Sequence, residues 1–380
     1  MNKYIHYTKI LTLEEFNRKM KEGFHHFERY VFKNIDFTKA NEDLAITSFT
    51  DCVFLECVMD DKMPSQFVNN CLVLPVMNVP FDLYRKELYN AESLYDGYIC
   101  GNSPTLSDCY DQKVYSHFIY TGKHASDPTI SLARTLHDYS ISNAVNEFMK
   151  NYDEKQVVAI MGGHGLSRSD DMFRNIAILS KILTENNYLM ISGGGPGAME
   201  ATHFGAWMAG RTEKELDNAL DILRTAPTFT DDKWIETAFY IMQDYPQTYN
   251  FKSLSIPTWL YGHEPSTPFA THIAKYFENS IREDALLTLA YGGIIYSPGS
   301  AGTLQEIFQE AVQDHYLSFG YASPMIFLGK HFWTEEMPIY PLLEKLVQLG
   351  KYKNLLLSIT DNYDEILDTI TNFRNDTNTK

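Results

Sequence analysis

Beyond residue 155 the chain alternates short, unbroken apolar runs with stretches in which apolar side chains recur every three or four positions. A run such as Val157–Met161 has no polar face, so it suits a strand covered on both sides. The helical stretches between the runs supply the cover. No other feature limits the fold so closely. The alternation predicts a doubly wound, Rossmann-like α/β fold with a mostly parallel sheet and flanking helices. Strands are expected at Val157–Met161, 188–191, 256–260, Gly293–Tyr296, 325–328 and 355–358. Ser169 and Asp170 are helix-start residues, and Met172, Ile176, Leu179 and Leu183 follow at helical spacing until Asn186 and Asn187 stop the helix. Further helices are expected within 269–290, 303–313, 338–349 and 361–373. The stretch 211–250 has helical composition without a strand, which places it outside the sheet.

The N-terminal part reads differently, being rich in Tyr, Phe and Cys with few long helical patterns. Leu44, Phe49, Phe54 and Met59 recur with a period of five, and Thr47, Cys52 and Cys57 stand two positions before the last three. This resembles a pentapeptide-repeat coil, although one turn of such a coil cannot bury a core by itself. A chance pattern in a β-rich cap accounts for it equally well. Residues 131–150 read as a helix leading into the second domain. Turn signals at Thr121–Gly122 and Asp127–Pro128 put the boundary between an accessory domain, 1–125, and the Rossmann-like domain, 126–380.

Charge narrows the function. The 32 Lys and Arg against 49 Asp and Glu give a net charge of −17, which argues against a general nucleic-acid binder. A phosphorylated small molecule remains compatible, because a few backbone amides and one arginine suffice to bind a phosphate locally. The five cysteines, Cys52, Cys57, Cys71, Cys100 and Cys109, show no paired metal spacing and read as reduced, mostly buried thiols. The first residues lack a secretory pattern, and no apolar run is long enough to span a bilayer, so a cytoplasmic location with no membrane partner is expected. Neither a metal nor a cofactor is expected.

Two glycine-rich segments carry the chemistry. Ser192-Gly193-Gly194-Gly195-Pro196-Gly197-Ala198-Met199-Glu200 follows an expected strand and opens an expected helix. Adjacent glycines let backbone amides approach a ligand, and the helix start adds partial positive charge. A tight strand-to-helix turn without ligand is the simpler alternative. The second segment, Ser297-Pro298-Gly299-Ser300-Ala301-Gly302-Thr303-Leu304-Gln305-Glu306, has the same context. Both lie at the carboxyl ends of strands, where open α/β sheets hold ligands. Thr303 and Glu306 also have capping-box spacing, which offers Glu306 a structural role.

Taken together, the segments resemble the LOG family of nucleoside 5′-monophosphate phosphoribohydrolases, often mislabelled lysine decarboxylases. In motif they are closest to the bacterial purine/pyrimidine nucleotide 5′-monophosphate nucleosidases. The family's first loop is matched by Gly193 to Met199, its helix arginine by Arg282, and its second loop by Pro298 to Glu306. Ser300 stands where the family usually has glycine. The resemblance covers roughly residues 155–373. It implies hydrolysis of the N-glycosidic bond to free base and ribose 5-phosphate, with Arg282 and Glu306 as the catalytic pair. Gly193, Gly194, Gly195, Gly197 and Met199 would line the substrate, and the amides of Gly299, Ser300, Ala301, Gly302 and Thr303 would cradle its phosphate. Glu264 falls where the family has a substrate-contacting glutamate; an exposed turn carboxylate is its other reading. A homodimer packed along the 269–290 helix is implied as well.

Other features carry less. His164 at the first strand end is either a ligand contact or an ordinary loop histidine. His137-Asp138-Tyr139-Ser140 contains triad residue types, but neighbours on one helix point apart, which favours a capping or interdomain role. Neither loop has a lysine suited to a pyridoxal phosphate Schiff base. A dinucleotide fingerprint after the first strand, with its acidic ribose partner, is likewise missing. The alternative from another class is a nucleotide-binding sensor that no longer cleaves.

Overall fold

The computed structural model describes residues 7–40, 44–59, 63, 67–247 and 251–376. The chain forms two compact units, Met1–Tyr84 with Asp127–Leu136, and Arg85–Ser126 with His137–Lys380.

In the first unit, short strands β1 (Thr8–Ile10), β2 (His26–Glu28), β3 (Tyr30–Lys33), β4 (Ser48–Thr50), β5 (Val53–Leu55), β6 (Phe67–Asn69) and β7 (Leu72–Leu74) form two parallel ladders. One has the order β1-β3-β5-β7 and the other β2-β4-β6. In-register pairs such as Phe27 with Phe49 and Phe32 with Phe54 show successive turns of a coil stacked on one another. Left-handed residues make the corners: Arg29, Asp51 and Asn70 at one, Asn34 and Glu56 at the next, five positions on. Phe27 and Phe49 stack at 5.6 Å and Phe32 and Phe54 at 5.0 Å, so each turn buries its aromatics against the next. Phe16 of helix α1 (Leu13–Lys21) adds its ring to this core. The period-five positions Phe49, Cys52 and Phe54 are fully buried, with Leu44, Cys57 and Met59 packed around them.

The second unit holds a seven-stranded sheet. Its strands are β8 (Val157–Met161), β9 (Leu189–Ser192), β10 (Ser253–Ser255), β11 (His272–Ile273), β12 (Gly293–Tyr296), β13 (Pro324–Phe327) and β14 (Leu356–Ile359). The order β11-β10-β9-β8-β12-β13-β14 is parallel throughout and reverses direction between β8 and β12. This is the doubly wound, Rossmann-like α/β architecture, and the reversal opens a crevice at the strands' carboxyl ends. Two helices precede the sheet, α2 (Ala91–Leu94) and α3 (Tyr110–Tyr120). A third, α4 (Pro128–Met149), spans the division between the units. Helices α5 (Asp171–Glu185), α6 (Ala198–Trp207), α7 (Glu213–Leu223) and α8 (Trp234–Asp244) follow. After them come α9 (Asn279–Thr288), α10 (Ala301–Tyr316), α11 (Ile339–Gln348) and α12 (Tyr363–Asn375). Ile176, Leu179 and Leu183 of α5 pack with Ala201 and Phe204 of α6 and with Ile366 and Ile370 of α12 over β8, β9, β12 and β13. Asp170 is the N-cap of α5, and Asn187, left-handed at φ 64°, turns the chain from α5 into β9.

The structure departs from the sequence reading at three places. β10 lies at Ser253–Ser255 rather than at 256–260, because Pro257 cannot continue a ladder and Ser253 and Ser255 disguise the run. The 269–290 stretch first makes β11 and only then α9, with Ile273 pairing through both backbone groups with Tyr89. The units divide at Tyr84–Arg85 and again at Ser126–Asp127 and Leu136–His137, rather than once at 125/126. Residues 85–126 belong to the sheet unit because Tyr89 extends β11 and Asp111 forms a buried ion pair with Lys275 at 2.7 Å. All five cysteines are free, Cys52 and Cys109 buried and the others half-buried. Among the described residues no helix is long and apolar enough to cross a membrane, and no cluster of three His, Cys, Asp or Glu could hold a metal.

Candidate functional site

Three strand-end loops meet at the crevice. The loop after β8 is tied to the loop after β12, with the Gly163 amide donating to the Pro298 carbonyl at 3.1 Å. It is also tied to the loop after β9, since the Ala198 amide donates to the Gly163 carbonyl at 3.1 Å. Gly197 makes that approach possible. Its φ is +69°, and a side chain there would stand 2.4 Å from the Gly163 oxygen and 2.7 Å from that of His164. Gly194, at φ +76°, presses on Ser255, and its carbonyl accepts from the Thr267 amide. The segment that carries Glu264 is thereby anchored to the β9 loop.

Arg282 reaches this loop from α9. Its Nε donates to the Ile256 carbonyl at 2.8 Å. A Cβ added at Gly193 would lie 2.2 Å from its Nη2 and 2.6 Å from Met199 Sδ. Gly193 is therefore open so that the guanidinium and the thioether can pass beside the backbone. Met199 Sδ also accepts from the Gly195 amide at 3.4 Å. Glu264 stands beside Gly195, its Oε2 3.6 Å from the place a Cβ would take. Its Oε1 lies 3.8 Å from both His164 Nε2 and His263 Nε2. His164 is exposed and Glu264 half-buried.

Glu306 comes from α10. Withdrawal of its carboxyl from water pushes its pKa up to about 7, against the pull of the Arg282 charge and with the help of the neighbouring Glu283 carboxylate. Arg282 and Glu306, borne on separate helices, thus sit within electrostatic reach of each other. Glu283, to which the sequence reading gave no role, is held by the amides of Asn279 at 2.8 Å and Gln305 at 2.7 Å. Asn279 stands four positions before it on α9, a spacing legible in the sequence, whereas Gln305 lies on α10 and no spacing marks that contact.

The second loop differs from expectation at its helix start. The N-cap of α10 is Ser300, so Thr303 is the third helical residue and the Thr303–Glu306 capping box does not form. Thr303 is instead buried against Gly299, where an added Cβ would stand 2.2 Å from its Oγ1. Ser300 has φ −123°, an extended value without left-handed strain, and its side chain makes no capping bond. The first amides of α10, those of Ala301, Gly302 and Thr303, are then the unspent donors of a helix start. Around Gly302 there is open space.

The remaining features resolve into structural roles. The His137 and Asp138 side chains do meet, at 2.9 Å, contrary to the expectation that neighbours on a helix point apart. Both are buried, and so is Ser140, whose Oγ accepts from the Arg85 amide. Arg168 and Glu200 form a buried ion pair below the β9 loop, with Arg168 also bonded to Ala226 and Thr237. A cavity of about 710 Å³ opens near the ends of β8, β13 and β14, with Asp171, Pro298, Phe332 and Tyr363 in its wall. None of the sequence-selected site residues lines it.

No family model matches the chain, and no curated protein matches it. Among solved structures the chain is similar to the structural-genomics target TM1055, with 19% identity over 57% of this chain and 98% of that one, at a TM-score of 0.38. It is also similar to a molybdenum cofactor binding protein from the phototrophic bacterium Rippkaea orientalis, with 12% identity over 57% of this chain and 96% of that one, at a TM-score of 0.36.

Proposed function

We propose that the second unit hydrolyses the N-glycosidic bond of nucleoside 5′-monophosphates, as its resemblance to the LOG family implies. The observation that carries this reading is the pairing of a fixed guanidinium with a poorly solvated carboxyl, beside two glycine-rich strand-end loops. The phosphate binds the first amides of α10, where a helix start favours an anion. Arg282 grips phosphate or ribose oxygens with a rigid fork. As the C1′–N bond lengthens, positive charge grows on the sugar. The Glu306 carboxylate stabilises that charge and orients a water whose oxygen bonds to C1′. The bond's electron pair leaves with the base, one water proton passes to Glu306, and a proton from solvent completes the base. Glu264, with His164 beside it, contacts the ribose or base. Self-association along α9 belongs to the same reading, and Ile281 is exposed on that helix.

The test is a panel of ribo- and deoxyribonucleoside 5′-monophosphates, with free base and ribose 5-phosphate measured by chromatography. Arg282→Ala and Glu306→Ala abolish base release while the melting temperature stays within a few degrees. Thermal stabilisation by a monophosphate without base release would instead favour a sensor. Full activity in either variant would remove that residue from the assignment.

A further inference from the structure

We infer that Asp138, oriented by His137 and Tyr89, is a positioning residue that sets Arg282 through the first turn of α9. The inference rests on the hydrolase reading of the site. Asp138 lies on α4 and is buried. Its Oδ1 accepts from the Phe277 amide at 3.0 Å and its Oδ2 from the Glu278 amide at 2.8 Å. These are the donors at the entrance to α9, whose own N-cap residue, Glu278, makes no side-chain capping bond. A carboxylate from another helix therefore performs the capping, where charge-assisted bonds and the helix dipole favour it.

The chain of contacts from there to Arg282 is short. The Glu278 amide is held by Asp138, and the Glu278 carbonyl accepts from the Arg282 amide at 3.3 Å. The Arg282 guanidinium is then fixed at its far end by Ile256. Asp138 itself is held by His137 Nδ1 at 2.9 Å, and His137 Nε2 is 2.8 Å from the Tyr89 hydroxyl. Tyr89 pairs through its backbone with Ile273, in the strand that precedes α9. The His137 ring packs at 5.0 Å from Phe277 and 5.4 Å from Trp259, so the whole relay is in an apolar setting where these polar bonds are strong. A segment far from the glycine loops in sequence thereby determines where the guanidinium stands.

Calorimetric titration with ribose 5-phosphate, on the full-length wild type, Asp138→Asn, Arg282→Ala and the double variant, tests this. In Asp138→Asn an amide nitrogen faces a backbone N–H and α9 shifts. Binding should weaken about tenfold when Arg282 is present and less than about twofold when it is absent, the coupling expected of a residue acting through another. Tyr89→Phe removes one hydroxyl, keeps the ring, and should show a smaller loss with the same dependence on Arg282. It carries the test if Asp138→Asn does not fold. Equal losses in both backgrounds, or no loss in either variant, would overturn the inference while leaving the hydrolase reading in place. A wild type that neither binds ribose 5-phosphate nor releases base would overturn both.

Discussion

Gly193→Ala separates the position of Arg282 from the stability of the fold. The new Cβ would stand 2.2 Å from Arg282 Nη2 and 2.6 Å from Met199 Sδ, whereas ordinary contacts begin at 3.4 Å. The guanidinium must therefore retreat by about 1.2 Å and the sulfur by about 0.8 Å. Both are far ends of flexible side chains, and Gly193 is not in a left-handed conformation. The cost to folding should then be within about 1 kcal/mol. Catalysis should suffer much more, since a misplacement of about 1 Å can cost roughly 100-fold in rate, equal to about 2.7 kcal/mol of barrier. The assay is base release from a 5′-monophosphate, run beside urea denaturation of the same preparation. A variant with unchanged stability and unchanged kcat/KM would refute the role given to Arg282. One that unfolds would refute the claim that only flexible groups are displaced.

Gly197→Ala is the contrasting case: its mirror-image backbone costs about 1–3 kcal/mol, its Cβ meets fixed backbone oxygens, and urea denaturation should show a loss above about 2 kcal/mol. The pH profile of kcat/KM should rise with pH through an acid limb at about 7, because Glu306 acts deprotonated; Glu283→Gln, which removes a raising charge, should move that limb lower. Burial holds Glu310 and Asp314 protonated, up to about 7 and about 8. Folding therefore binds protons that the unfolded chain releases at ordinary carboxylate pKa values. This stability is complete below that range and is lost as pH rises through 7 and 8. For Glu310 alone it amounts to roughly 3 kcal/mol. Melting temperature should fall on going from about pH 6 to about pH 9, and Glu310→Gln, which can keep its bond to Ser323, should flatten that fall.

The legible parts of this fold are those whose signal is local. The all-apolar runs of β8 and β12 could only be buried strands, and Asn187 could only stop a helix at that place. The first and second loops announced themselves through glycines that the packing then required, at Gly194, Gly197 and Gly299, and through Gly193, which leaves room for the Arg282 guanidinium. What escaped the sequence depends on partners far away along the chain. β11 is a strand because it pairs with β10 on one side and bridges to Tyr89 on the other, and residues 85–126 join the sheet unit through Tyr89 and through Asp111 with Lys275. The start of α10 was misplaced because Thr303 and Glu306 mimic a capping box, while the actual N-cap, Ser300, makes no side-chain bond. The tie of Glu283 to Gln305 escaped because it joins separate helices, and Asp138, whose residue pattern favours a capping or interdomain role, carries no sign in the sequence that the helix it caps is α9.

The most direct measurement of the central claim is product stoichiometry from a 5′-monophosphate incubated with purified protein. The account predicts free base and ribose 5-phosphate in equal amounts, no inorganic phosphate, and neither product with Glu306→Gln. Nucleoside with inorganic phosphate, or base release that survives Glu306→Gln, would contradict it.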